Sequence, residues 1–368
     1  MLCNFLPIAW VFNAEIIVPE LDKNFYENLD EVKHGYSEMY PQINFGGKLT
    51  VEKLVANDYE VSENTAAFFS GGVDSFNTLI SHVKENPTLI TLWGSDVKLN
   101  DFDGWNKVKA HSLNTAKKFN CQNLFIRSSF RYVINEGALS QEVIPLCGDG
   151  WWHGFQHGIG IIGHAAPYTY LRKISKLYIA STYTEKDKGN YTCASDPTID
   201  NHVKVGKCIT IHDGYEFERQ DKVRRICEYK RTSGIEINLR VCWESAGGGN
   251  CCHCEKCYRT ILEILAEGEN PAEMGFTEFP AILDKMKEDF QKPDFFNMAN
   301  SNALPLYGAI QNRFRKNPDN LKKFGLEWFM ELNFSDKNLK RGRYVQNNPL
   351  IAFYRVVLRQ IEQILLKN

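Results

Sequence analysis

The chain has 368 residues, 43% of them hydrophobic and 24% charged, enough for a large core in one elaborated domain or a few smaller ones. Lys and Arg (43) nearly balance Asp and Glu (45), and the net charge of -2 argues against nucleic-acid binding through a global basic field, leaving only a local basic patch as a route to it. No run reaches the roughly 18 uninterrupted apolar residues of a membrane span. The 11 cysteines are odd in number and crowd between 251 and 257, which argues against a disulfide framework and for metal in a reducing, cytoplasmic setting.

In chain order, the opening run MLCNFLPIAWVFNAE has no basic residue ahead of its apolar stretch and reads as a strand rather than a secretory leader. With short β-leaning runs at Ala9–Phe12, Glu15–Val18 and Lys48–Val51, residues 1–60 form an expected β-rich N-terminal extension. An α/β core over 61–235 follows. Its expected strands are Thr65–Phe69, Thr88–Trp93, Asn123–Arg127 and Lys176–Ser181. They alternate with helices over Asp74–Lys84, 105–119 and a long apolar 153–173. This alternation implies right-handed βαβ units, a mostly parallel sheet flanked by helices, and a ligand site beyond the carboxyl ends of the strands. Residues 182–215 are turn-rich, and a charged helix is expected over 216–231. Residues 236–275 make a metal-binding segment with a strand at Asn238–Val241 and a helix at Arg259–Glu267. Residues 276–368 read as helical, ending in an amphipathic stretch over 349–367.

The strongest chemical signal is Phe69-Ser70-Gly71-Gly72-Val73-Asp74-Ser75, set between a strand and a helix. Adjacent glycines let the backbone turn sharply and bring amide N–H groups against an anion, and the next helix adds its N-terminal dipole. Ser70 and Ser75 supply hydroxyl donors. Asp74, which a phosphate would repel, is suited to Mg²⁺ or to capping the loop. No lysine follows the glycines, so this is not the G-x-x-x-x-G-K-[ST] loop.

The second signal is C-x8-C-x2-C-x2-C at Cys242, Cys251, Cys254 and Cys257, which suits a closed, tetrahedral Cys₄ site for structural Zn²⁺. A [4Fe–4S] cluster is the rival occupant, and Cys252 and His253 are extra candidate ligands.

The S-G-G-V-D-S segment resembles the pyrophosphate loop of the PP-loop ATP pyrophosphatase superfamily. With the late Cys₄ segment, residues 64–270 are similar to 7-cyano-7-deazaguanine synthase, and fit a paralogue such as those of antiviral islands better than the housekeeping enzyme. The resemblance implies an adenine nucleotide alpha hydrolase-like core of the HUP type that binds ATP and Mg²⁺ at Ser70, Gly71, Gly72, Val73, Asp74 and Ser75. It also implies adenine or ribose recognition near Trp93 and Asp96. The implied reaction is adenylation of a carboxylate or amide oxygen, release of pyrophosphate, and transfer of nitrogen to a small-molecule or protein acceptor. Asp74, Ser70 and Ser75 are its expected catalytic residues. The N-terminal extension and the C-terminal helical region depart from the synthase.

Further expectations are weaker in pattern. Arg131 is a candidate for the α-phosphate or an acidic substrate. His157, four residues after His153, is a candidate for metal or phosphate in a glycine-thinned helix. Asp196 and Asp200 fall in turn chemistry that also suits a substrate loop. The protein is expected to work as a homo-oligomer or a complex member. The rival functions are a PP-loop module that holds a nucleotide or partner without turnover, and an RNA sulfurtransferase carrying sulfur on Cys252 or another free thiol.

Overall fold

In the computed structural model, residues 1–242, 248–292, 295 and 303–334 are described, so the stretch 349–367 lies outside them. The chain divides into two compact units, Met1–Glu218 and Arg219–Asn368.

The first unit holds seven strands, every pair of them parallel: β1 (Glu15–Asp22), β2 (Lys48–Val55), β3 (Thr65–Phe68), β4 (Thr88–Trp93), β5 (Asn123–Arg127), β6 (Lys176–Ala180) and β7 (Ile209–Asp213). β1 and β2 make a separate two-stranded sheet in register from Glu15↔Lys48 to Asp22↔Val55. The other five lie in the order β5-β4-β3-β6-β7. The chain therefore builds outward one way from β3, then crosses back to start the other half at β6. This reversal makes a crevice at the carboxyl end of β3, where open α/β sheets bind ligands.

The expected opening strand is a helix, α1 (Leu2–Val11). A short apolar run does not distinguish the two by periodicity, and burial decides it: Cys3, Leu6 and Trp10, at i, i+3 and i+7, all face the core. Two more helices, α2 (Lys23–Glu27) and α3 (Leu29–Met39), complete the N-terminal region, which is thus mixed rather than β-rich. Asp22 caps α2 by accepting from the Phe25 amide at 2.8 Å.

This region packs on the segment carrying His153 and His157. The Tyr36 hydroxyl donates to the Phe155 carbonyl at 2.7 Å, and Gln156 donates to Asn4 at 2.7 Å. Tyr40 and Trp151 each stack on Phe155 with ring centres 5.0 Å apart. These rings belong to the main core of the unit.

Helices α4 (Val73–Ser81) and α5 (Phe102–Lys118) follow β3 and β4, and α6 (Phe130–Val133) and α7 (Glu136–Cys147) follow β5. The expected long helix over 153–173 is broken into a π-helical turn Trp152–Gln156, α8 (His157–Ile162) and α9 (Ala166–Leu171). Pro167 in the first turn of α9 explains the second break, since proline favours a helix start over a helix interior. The short helix α10 (Pro197–Asp200) precedes β7, a strand inside the stretch expected to be turns.

In the second unit, α11 (Arg219–Ser233) and α12 (Glu255–Ala266) pack with α13 (Ile282–Phe290) and α14 (Leu304–Lys316) around Tyr258, Phe290, Tyr307 and Phe329. Segment 238–241 is not a strand; the Leu239 amide donates to the Met274 carbonyl at 2.9 Å. Among the described residues, no helix is long and apolar enough to cross a membrane.

Candidate functional site

The glycine loop sits at the switch point. The Phe69 amide donates to the Ile90 carbonyl at 2.8 Å, and the Thr91 hydroxyl donates to the Phe69 carbonyl at 3.0 Å, so β4 holds the end of β3. Gly71 then takes φ +80°, a left-handed turn that a side chain would strain, and Gly72 caps α4 in extended conformation. Ser75 donates to the Gly72 carbonyl at 3.0 Å, and the Ser70 and Ser75 hydroxyls lie 3.3 Å apart. The loop thus gathers two hydroxyls at a helix start, where first-turn amides have no partner inside the helix. Ser70 is exposed, Asp74 half-buried on the first turn, and Val73 buried in the core.

The other expected nucleotide and substrate residues are distributed around the same edge. Trp93 stacks on Trp105 with ring centres 5.0 Å apart and donates to the Lys98 carbonyl at 3.0 Å, so its side chain shapes the β4 turn from inside. Asp96 is exposed on that turn. Arg131 forms a two-point pair with Glu136 (both contacts 2.7 Å), donates to the Ser95 carbonyl at 2.9 Å, and lies 4.0 Å over the Trp152 ring. Asp196 caps α10 by accepting from the Thr198 amide at 2.9 Å. Asp200 is fully buried between Ser195 (2.7 Å) and His212 (2.8 Å), away from any acceptor. His157 alone of this group meets a reactive partner.

That partner is Cys193, which the sequence did not single out. The His157 Nδ1 lies 3.5 Å from the Cys193 sulfur, and the charge of His153 acts on the same thiol. Asp149 orients His153 through Nδ1 at 2.9 Å; its other oxygen accepts from Tyr40 at 2.7 Å and from Thr192. Burial would push the thiol up, but hydrogen bonds and charge from the two imidazoles outweigh it and bring Cys193 down to about 6. Burial likewise pulls His153 down, yet Asp149 and Cys193 raise it to about 10. His157 is raised as well, by Cys193 and then by Asp96, against the effect of burial. Thiol and imidazoles thus each favour the charged form of the other.

Gly158 makes this approach possible. A Cβ there would overlap the Ala194 carbonyl and Asp200 and come 2.9 Å from the Ser195 Cα, so only a bare backbone lets α8 lie against the 193–195 segment. The Ala194 amide donates to the His153 carbonyl at 2.8 Å and fastens that segment to the π-helical turn.

In the second unit, Cys242, Cys251, Cys254 and Cys257 bring all four sulfurs within 4.8 Å of one another, an arrangement able to hold a metal ion. Four sulfurs on a tetrahedral ion at about 2.3 Å would be about 3.8 Å apart. The contacts of 3.4 Å (Cys242–Cys251), 3.7 Å (Cys242–Cys254) and 3.9 Å (Cys251–Cys257) match that spacing. The His253 and Cys254 amides both donate to the Cys251 sulfur at 3.4 Å, as in a metal knuckle. Cys252 and His253 stand outside the four; His253 instead faces Glu278 at 3.4 Å.

Asn250, another residue the sequence did not mark, joins the two halves of this centre. Its oxygen accepts from the Val241 amide at 2.9 Å and the Cys242 amide at 3.3 Å. Its nitrogen donates to the Leu239 carbonyl at 2.8 Å and the Gly275 carbonyl at 2.9 Å.

Neither a family model nor a curated protein matches this chain.

Proposed function

We propose that the protein is an ATP-dependent ligase of the PP-loop ATP pyrophosphatase type, built on a HUP-like core. In this reading it adenylates a carboxylate or amide oxygen, releases pyrophosphate and transfers nitrogen to form a C–N bond. The observation that carries it is the loop Ser70–Ser75 at the carboxyl end of β3, where the strand order reverses. Amides and hydroxyls there would cradle the β- and γ-phosphates, leaving the α-phosphorus open to an in-line oxygen nucleophile. Asp74 would hold Mg²⁺, which neutralises the leaving pyrophosphate. Zn²⁺ in the Cys₄ centre is structural, because four thiolates leave no open position for substrate.

The test is AMP and pyrophosphate release with 7-carboxy-7-deazaguanine plus ammonia, then with small carboxylic acids and candidate protein acceptors. Release that is lost in Ser70→Ala and Asp74→Ala, with folding retained, supports the reading. ATP binding without AMP formation for every acceptor would replace it with a non-catalytic nucleotide module.

A further inference from the structure

The Cys193 cluster has the construction of an activated nucleophile rather than of a packing cysteine. A buried thiol without partners stays protonated and inert, as the other core cysteines illustrate: burial pushes Cys3 up to about 11 and Cys208 up to about 12. Cys193, just as buried, has the His157 Nδ1 at 3.5 Å, with His153 four residues before it on the same segment. Behind His153 stands Asp149, itself fixed by Tyr40 of the N-terminal region and by Thr192. Asp96 acts electrostatically on His157, and the Tyr36 phenol feels the charge of both Cys193 and Asp200. Nucleophile, base and orienting carboxylate are the three parts that thiol acyl transfer requires. Among the described residues the Cys₄ group is the one whose ligand atoms all lie within 4.8 Å of one another.

Its position fits the same conclusion. Asp96 belongs to the turn after β4, and Tyr183, whose ring meets that of His153 at 6.4 Å, follows β6. β4 and β6 are the two neighbours of β3, the strand that ends in the glycine loop. The cluster therefore spans the carboxyl edge on which the proposed nucleotide loop lies, with the His153 side chain, 42% exposed, on its outer side.

We propose that Cys193 is a covalent nucleophile that takes the acyl group of an activated carboxyl, of the acyl-adenylate class, and holds it as a thioester until an amine removes it. The proposal deepens the ligase reading and rests on it for the source of the acyl adenylate. In the first step the thiolate attacks the acyl carbon; the S–C bond forms, the C–O bond to phosphate breaks, and AMP leaves with that electron pair. In the second step the amine nitrogen attacks the thioester carbon, the C–S bond breaks, sulfur leaves as the thiolate that the histidines stabilise, and the amine proton is released to water. No oxidant or reductant is required.

The test uses the full chain and a preformed donor, acetyl adenylate, so that it does not depend on ATP turnover. The expected results are AMP release in a burst and an acetyl group on Cys193 by peptide mass spectrometry, removed by hydroxylamine. Cys193→Ser, nearly isosteric, should slow the burst on the order of 100-fold or more while melting as the parent does. His157→Gln should move the pH profile of the burst upward toward that of an ordinary thiol, a change that a merely structural role would not produce. A full burst in Cys193→Ser, or an acetyl group only on other residues, would overturn the proposal. So would a persulfide found on Cys193 with no acyl transfer. Pyrophosphate release with ATP, measured alongside, reports on the ligase reading separately.

Discussion

Replacing Asn250 with alanine tests how the metal centre is assembled, because this one side chain ties the segment bearing Cys242 to the knuckle bearing the other three sulfurs. The substitution removes four hydrogen bonds, two accepted and two donated, at 2.8 to 3.3 Å. At about 0.5–1.5 kcal/mol net for each, and with water replacing part of them, the loss should be about 2–4 kcal/mol. Such a change lowers the melting temperature by roughly 5–10 °C in a unit of this size. Outer partners that orient metal ligands typically contribute 10- to 100-fold in affinity, so zinc should be lost to a competing chelator at correspondingly lower chelator concentration. Asn250→Asp keeps the acceptor and loses the donors to Leu239 and Gly275, so it should fall between parent and alanine variant. The assays are chelator competition and melting with and without chelator. If Asn250→Ala holds zinc as tightly as the parent, the idea that Asn250 assembles the centre is wrong.

Gly71→Ala forces a side chain into φ +80° and should cost about 1–2 kcal/mol while weakening ATP binding, as calorimetry would measure. Gly158→Ala overpacks the contact with the 193–195 segment, so it should destabilise by about 1–3 kcal/mol and raise the pH at which Cys193 ionises, followed by thiolate absorbance against Cys193→Ser. For His82, burial lowers the imidazole pKa, but Asp213 at 2.7 Å and Glu85 at 3.2 Å outweigh it and hold the group above its ordinary value. The charged ring therefore contributes stability that is full below the unfolded value of 6.5 and is lost as pH rises through the higher folded value. His82→Gln should narrow the gap in melting temperature between pH 6 and pH 9; an unchanged gap would refute the assignment. Metal analysis should find about one zinc per chain, and Cys254→Ser should abolish its retention; iron in its place would refute the zinc assignment.

The features legible in the sequence were those written in contiguous residues. The strand–turn–helix setting of the loop Ser70–Ser75 and the gathering of the four cysteines follow from local spacing, and β3 to β6 announce themselves as apolar runs between helical repeats. Cys193 could not be found this way. Its imidazoles lie 36 and 40 positions earlier, and they reach it because α8 is thinned at Gly158 and the Ala194 amide is fastened to His153. His157 was marked for its spacing from His153, but with a different partner in view. Asp200, read as a substrate-loop carboxylate, is in the core; its pairing with His212 depends on β7, a strand that its polar flanks disguised as turn. The opening helix was misread because a ten-residue run with nine apolar positions satisfies both helix and strand until its contacts are known. Asn250 carries no pattern at all, since its role depends on a backbone returning from Gly275.

Helix α12 is fastened at its two ends by unlike means. Cys254 caps its start and Cys257 lies in its first turn, while farther along Glu263 meets Arg219 at 3.2 Å and Glu267 is gripped by Arg313 at 2.7 and 2.6 Å and by Gln220 at 2.7 Å. Loss of an ion held by the four cysteines would therefore free one end of the helix and leave the side-chain contacts of Glu263 and Glu267 to hold the other.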